Sequence, residues 1–327
     1  MKRSWLIMAL AAGVLSAVAF LGVTAPSLVS IVMFYLSPAP LFMVGIAFGA
    51  PAALVGAAAG FVFLAVVLNL KAAAFHLVSI AIAPAVISRL AMTSRAAGAG
   101  AAEGEAADAA GREWYPEGRL LLWTAFMGAV LMSALMLMIG PDMAAIQTHL
   151  GLMAGQILKL TGAAAQMNPV EARAMKTFLV AVTPLVSTAL WLLSMMGDFF
   201  LAAKALSAFG YETRPWAPFR RLAFHPRASV ALALASFASF LPGVFGLAGQ
   251  IFAISFMTAF AILGLAVVHA LLKDSPWRPW LLGALYAGLF FLNWLLAMPL
   301  VVLALADMSF GVRAKYAASH GGPPAKT

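Results

Sequence analysis

The chain of 327 residues contains no cysteine. This excludes disulfides, thiolate metal sites and cysteine nucleophiles together, and leaves the redox compartment unreadable. Charge is also scarce: 9% of residues are Asp, Glu, Lys or Arg, against roughly 25% in an average soluble domain. Acids are the rarer sign, with 11 against 20 Lys and Arg and a formal charge of +9. Several signatures of chemistry are missing. There is no G-x-x-x-x-G-K-S/T phosphate loop, and so no ATP-hydrolysing motif of the chain's own. There is no H-E-x-x-H, and no pair of Asp, Glu or His within an apolar run at the spacing that would hold a metal. Serine-containing runs such as LSAVAFLG lack the G-x-S-x-G frame. The expectation is a protein with no catalytic residues, no metal and no cofactor.

What the sequence has in abundance is apolar surface. Hydrophobic residues make up 64% and the mean hydropathy is +0.99. Crossing a hydrocarbon core of roughly 30 Å takes about 20 apolar residues. The chain supplies such runs repeatedly, without the alternation of a membrane β-barrel. This predicts an all-α, polytopic transmembrane helical bundle, with residues 1–327 as a single membrane domain. In a soluble protein the positive charge would suggest nucleic acid. Here the Lys and Arg sit mainly at the ends of apolar runs and read as topology signals. The lipid bilayer is the expected partner, and nucleic acid is not.

Spans are expected near 5–22, 27–49, 52–70, 72–91, 119–140, 170–203, 228–246, 250–272 and 280–306. The opening MKRSWLIMALAAGVLSAVAF offers Ala17-Val18-Ala19 as a small-residue cleavage site, but the continuing apolar character favours a retained span. Residues 92–118, rich in Ala, Gly and acids, have too little apolar surface to pack and read as a flexible cytoplasmic loop. Residues 204–227 carry Lys204, Arg214, Arg220, Arg221 and Arg227 against Glu212, which places that loop in the cytoplasm. Trp216, Phe219 and Phe224 interleave with those cations, as in a short helix lying on lipid headgroups. Between 141 and 169, Ile146, Leu150, Met153, Ile157 and Leu160 recur at spacings of four and three, while Gln147, His149, Gln156 and Lys159 face elsewhere. That pattern predicts an amphipathic interfacial helix on the outer surface. In NPVEARAM, Asn168 can cap the next helix, Pro169 suits its first position, and Glu171 completes a capping box.

Parity leaves the count at eight or nine. Lys2 and Arg3 put the amino terminus inside, and nine spans would put the tail, 312–327, outside despite Arg313, Lys315 and Lys326. The weakest span is the stretch from 24 to 49, which holds most of FYLSPAPLFMVGIAFGAP. Ser37 would make a good N-cap with Pro38 at the first helical position and Pro40 in the same turn, so residues 27–49 form either a broken helix or a loop plus a helix. Broken helices mark solute sites in many transporters.

SPAPLFMVGIAFG, LGLAVVHALLK and LALADMSFGVRAK together resemble the YybS-like family of bacterial multipass membrane proteins, a domain of unknown function. The matching positions are Ser37, Pro38, Pro40, Gly45, Gly264, His269, Asp307 and Arg313. The family's aromatic-Asp-Phe before the Arg stands here as SFGVR, without the second acid. The resemblance extends to a broader set that includes the S components of energy-coupling-factor vitamin transporters and the shape-determining protein MreD. It implies a helical bundle in a bacterial inner membrane, with a pocket for a solute or a partner. Asp307 and Arg313 are six residues apart, about 240° around a helix, and face each other only if the helix ends near Gly311, where glycine favours termination.

Polar candidates for a pocket are Asn69, Lys71, His76, Asp198, Gln250 and Asn293. Asp198 and Lys204 are alternatively a pair of groups that both snorkel toward the headgroups. Small residues at four-residue spacing, Ala9, Gly13 and Ala17, and again Ala52, Gly56 and Gly60, allow close helix approach. By resemblance to S components, the first stripe would meet a transport scaffold subunit. Ordinary packing inside the bundle is the alternative. Two functions are then open: a solute-binding or transport subunit that needs a separate scaffold and ATPases, or a noncatalytic scaffold in envelope biogenesis.

Overall fold

A computed structural model describes residues 4–24, 27–96, 111–211, 214–292 and 294–319. The described chain is all-α apart from one small hairpin. Its helices are α1 (Ser4–Phe20), α2 (Leu28–Tyr35), α3 (Ala39–Phe48), α4 (Ala50–Val67), α5 (Leu70–His76), α6 (Ile82–Ala91), α7 (Glu117–Ile139), α8 (Met143–Leu160), α9 (Pro169–Ala208), α10 (Arg227–Ala238), α11 (Gly243–Leu271), α12 (Arg278–Leu292), α13 (Trp294–Phe310) and α14 (Val312–Ser319). Strands β1 (Ser94–Ala96) and β2 (Arg112–Trp114) pair antiparallel. They close the base of the 92–118 loop, with Arg95 bonded to Glu113 at 2.7 Å. The rest of that loop, 97–110, lies outside the described residues.

Among the described residues, six segments are long and apolar enough to cross a membrane: Leu28–Phe48, Ala50–Val67, Leu70–Ala91, Glu117–Ile139, Pro169–Ala208 and Gly243–Leu271. There is a seventh if α13 and α14, bent by 73°, count as one. The α1, α10 and α12 helices are apolar but shorter. The expected eight or nine full-length spans are therefore not all present as such.

The two small-residue stripes meet each other. Ala9, Gly13 and Ala17 are buried, and α1 runs parallel to α4 with Gly13 directly against the Gly56 carbonyl and Gly60 against that of Gly13. Backbones this close leave no room for a Cβ, so glycine is required sterically. The stripe is consumed inside the bundle and is not presented to a scaffold subunit.

In the second half α11 is the central element, packed on α7, α9, α10 and α13. At Gly264 an added Cβ would strike the Leu300 backbone of α13. Within the expected span at 280–306, Tyr286 of α12 reaches His269 at 3.3 Å, while Leu300 of α13 lies against Gly264. The expected span at 228–246 divides into α10, a turn, and the first residues of α11.

The 204–227 segment is not a helix lying on headgroups. The α9 helix continues to Ala208, and beyond it the described residues before α10 hold no helix other than one short turn at Phe219–Arg221. Pro215, Pro218 and Pro226 explain this, because each removes a helical donor. Phe224 is buried against Phe260 with ring centroids 5.2 Å apart, and Trp216 packs on Phe199 at 5.3 Å. Only Phe219 of the three aromatics is exposed. The α8 helix buries Ile146, Leu150, Ala154 and Leu158, whereas Met153, Ile157 and Leu160 are exposed. The Asn168 cap of α9 has the expected capping box, with Glu171 bonded back to the Asn168 amide at 2.9 Å.

Candidate functional site

The α2–α3 segment and α9 lie side by side in parallel and meet along one seam. The carbonyl of Tyr35 accepts a hydrogen bond from Ser194 Oγ at 2.8 Å. Two turns further on, Phe42 meets Phe199 edge-on with centroids 5.5 Å apart. Between these contacts lie Ser37 on one side and Asp198 on the other. Ser37 is fully buried and Asp198 is 3% exposed. Ser37 Oγ and Asp198 Oδ2 have no hydrogen-bond partner, and the Ser194 hydroxyl sits beside the Asp198 carboxyl. Asp198 has no ion-pair partner among the described residues.

The helix break at 36–38 differs from the expected Ser cap. Ser37 donates its amide to Phe34 O at 3.2 Å and Ala39 to Leu36 O at 3.1 Å, so the chain winds through a tight turn and Pro38 stands at the cap position of α3 with no side-chain bond. A serine cap needs extended backbone at the cap, which this turn does not supply. The hydroxyl of Ser37 is left over for something else.

A second irregularity faces the same helix. The long helix from Leu70 to Ala91 contains a π-bulge at Leu77–Ala81. Trp191 Nε1 of α9 donates to Ser79 O at 2.7 Å, and Ser79 Oγ to Phe75 O at 2.5 Å. Side chains inserted into the helical ladder produce such bulges, which recur at functional sites.

The other candidates do not join this seam. Asn69 caps α5 by accepting from Ala72 N at 2.9 Å, and Lys71 is exposed beside it. His76 is fully buried between α1 and α4, 3.1 Å from Ser16 Oγ. Gln250 is exposed on α11, and Asn293 lies outside the described residues. Lys204 is exposed over the Phe200 ring at 5.6 Å, on another face of α9 from Asp198, so the two do not snorkel together. His269 packs edge-on to Phe219 at 5.3 Å. Gly45 faces Ser88, whose Oγ would lie 2.6 Å from an added Cβ.

Two apolar grooves take in none of these candidates. One, about 450 Å³, is lined by Phe126, Leu234, Phe245, Phe252 and Phe256 among others. The second, about 170 Å³, lies near Ser133 and Ile146. Among the described residues no three His, Asp or Glu side chains gather as a metal site.

Asp307 and Arg313 do meet, because α13 ends at Phe310 and Gly311 takes φ +63°. Arg313 Nε donates to Asp307 Oδ2 at 2.8 Å, its amide to Oδ1 at 2.8 Å, and its NH1 to the carbonyls of Arg220 and Leu222. The residue that sequence reasoning missed is Arg214, one topology cation among several in that reading. It is 4% exposed, bonds Ala91 O at 2.9 Å, Tyr115 O at 2.8 Å and Glu117 at 2.7 Å, and stacks on Trp216 at 4.4 Å. Burial pulls its guanidinium below the usual range, and the Glu117 carboxylate opposes that. The Arg-Pro-Trp sequence, a cation flanked by an aromatic and a helix breaker, was the available signal. These contacts gather the ends of α6 and α13 and the start of α7 at one basic end of the bundle, and the Trp216 ring that stacks on Arg214 also packs on Phe199, next to Asp198. No family model, curated protein or solved structure matches this chain.

Proposed function

We propose that the chain is a multi-pass protein of the bacterial inner membrane that binds a small polar solute at the α3–α9 seam, as a noncatalytic transport subunit. The observation that carries this is the pair of buried, unpartnered oxygens, Ser37 Oγ and Asp198 Oδ2, beside a helix break. An ionisable group within the bilayer costs several kcal/mol and marks a functional position by default. Irregular backbone at that depth survives where it is enclosed by protein. The likeness to YybS-like proteins, and through them to S components, agrees with this reading. A scaffold subunit or ATPase partner would have to dock on a face other than the α1 stripe, which α4 occupies.

In the topology we favour, the basic end is cytoplasmic. The six segments long and apolar enough to cross, α2–α3, α4, α5–α6, α7, α9 and α11, are joined in this topology by the shorter α1 and α10. The α8 helix then lies on the outer surface. A second reading, a scaffold in envelope biogenesis resembling MreD, is favoured by one observation: α12 buries none of its residues and offers Trp280, Phe290 and Phe291 outward.

Native mass spectrometry of gently solubilised protein tests the two readings. A reproducible bound metabolite, lost on Asp198→Asn, supports transport. An empty protein that brings down cell-wall machinery overturns it in favour of the scaffold.

A further inference from the structure

We infer that the α3–α9 seam binds a small monovalent cation, held by the Asp198 carboxylate together with the Ser37 and Ser194 hydroxyls and the Tyr35 carbonyl at the helix break. The inference rests on the transport reading and names the ion that accompanies the solute.

The ligating atoms at the seam are all oxygens, the type that hard cations select. Two of them, Ser37 Oγ and Asp198 Oδ2, are buried without a partner. The Tyr35 carbonyl accepts one bond from Ser194 and keeps a second lone pair. The break after Tyr35 frees that carbonyl from an uninterrupted helical ladder, the same way unwound backbone in transporters coordinates sodium.

Charge selects the class of ion. Asp198 supplies one negative charge, and no Lys, Arg or His among the described residues pairs with it. The nearest cation along α9, Lys204, is turned to solvent over Phe200. One uncompensated carboxylate is balanced by one monovalent ion. A divalent ion would leave excess positive charge on a single carboxylate in a low-dielectric setting.

The test is thermal unfolding of the full-length protein in detergent at constant ionic strength, with choline chloride replaced stepwise by sodium chloride. The expected result is a midpoint that rises with sodium, by about 2 °C or more at saturation. Asp198→Asn should remove the rise, and Ser37→Ala should move the half-saturating sodium concentration upward about tenfold. A wild-type midpoint indifferent to sodium overturns the inference. An equal rise in Asp198→Asn also overturns it, since the ion would then bind elsewhere. Should Asp198→Asn not fold, equilibrium binding of radioactive sodium to wild type and Ser37→Ala decides: one ion per chain, weakened in the variant, supports the site, and no saturable binding rejects it. A bound metabolite without sodium binding would sink this inference alone, whereas sodium binding to a protein empty of solute would sink only the transport reading.

Discussion

Two buried charged groups lie on either side of one pair of aromatic rings and are treated in opposite ways. At the basic end Arg214 is enclosed by a carboxylate, two carbonyls and an indole. Below it, linked through the Trp216 and Phe199 rings, Asp198 has a serine beside it and no counter-ion among the described residues. The first arrangement ties the end of α6 to the start of α7 and serves architecture. The second costs stability without repaying it in the protein's own contacts, which is what a binding position requires. Arg313 belongs with Arg214: it joins Asp307 to two carbonyls of the 220–222 turn.

If the contrast holds, substitutions at the two places will differ in sign. Arg214→Ala removes the paired cation and leaves Glu117 and two carbonyls facing a cavity. We expect a loss of about 3 kcal/mol, the low end of the range for breaking a buried pair because Glu117 is partly exposed, read as a lowered unfolding midpoint. Gly13→Val should come next at about 1–3 kcal/mol from overpacking against Gly56, with reduced yield of monodisperse protein. It separates the dry α1–α4 contact from the polar seam. Asp198→Asn in sodium-free buffer should leave the midpoint unchanged or raise it by about 1 kcal/mol, because a buried, unpaired charge is removed. A large loss there would place Asp198 with Arg214 as architecture.

The smallest effect is expected at the β1–β2 hairpin. The hydrogen bond and charge of Arg95 hold the Glu113 carboxylate below its usual range. A depressed carboxylate stabilises the fold above its unfolded pKa, and that contribution fades as pH falls through the folded value. The protection of the amides at 94–96 and 112–114, measured relative to intrinsic exchange at each pH, should therefore fall below about pH 4. Exposed as this pair is, the rest of the bundle should not respond.

Local features were legible in advance. The Asn168 capping box, the bend at Gly311 that lets Asp307 and Arg313 meet, and the two small-residue stripes all depend on residues within a few turns of one another. The partner of the first stripe was not legible, since four-residue spacing describes a face without naming what touches it. Arg214 escaped for the same reason: its contacts lie 97 to 123 residues away. The π-bulge depends on Trp191, 112 residues from Ser79.

The amino-acid sequence by itself settled the class of the molecule. With so few charges and so many apolar runs, the chain can satisfy its backbone only as helices shielded from water, and its cations mark one end of them. Which charges would be paired, and which left open, was decided only by tertiary structure. Desolvation and hydrogen bonding act between surfaces brought together in space, and one-dimensional order does not record which surfaces those are.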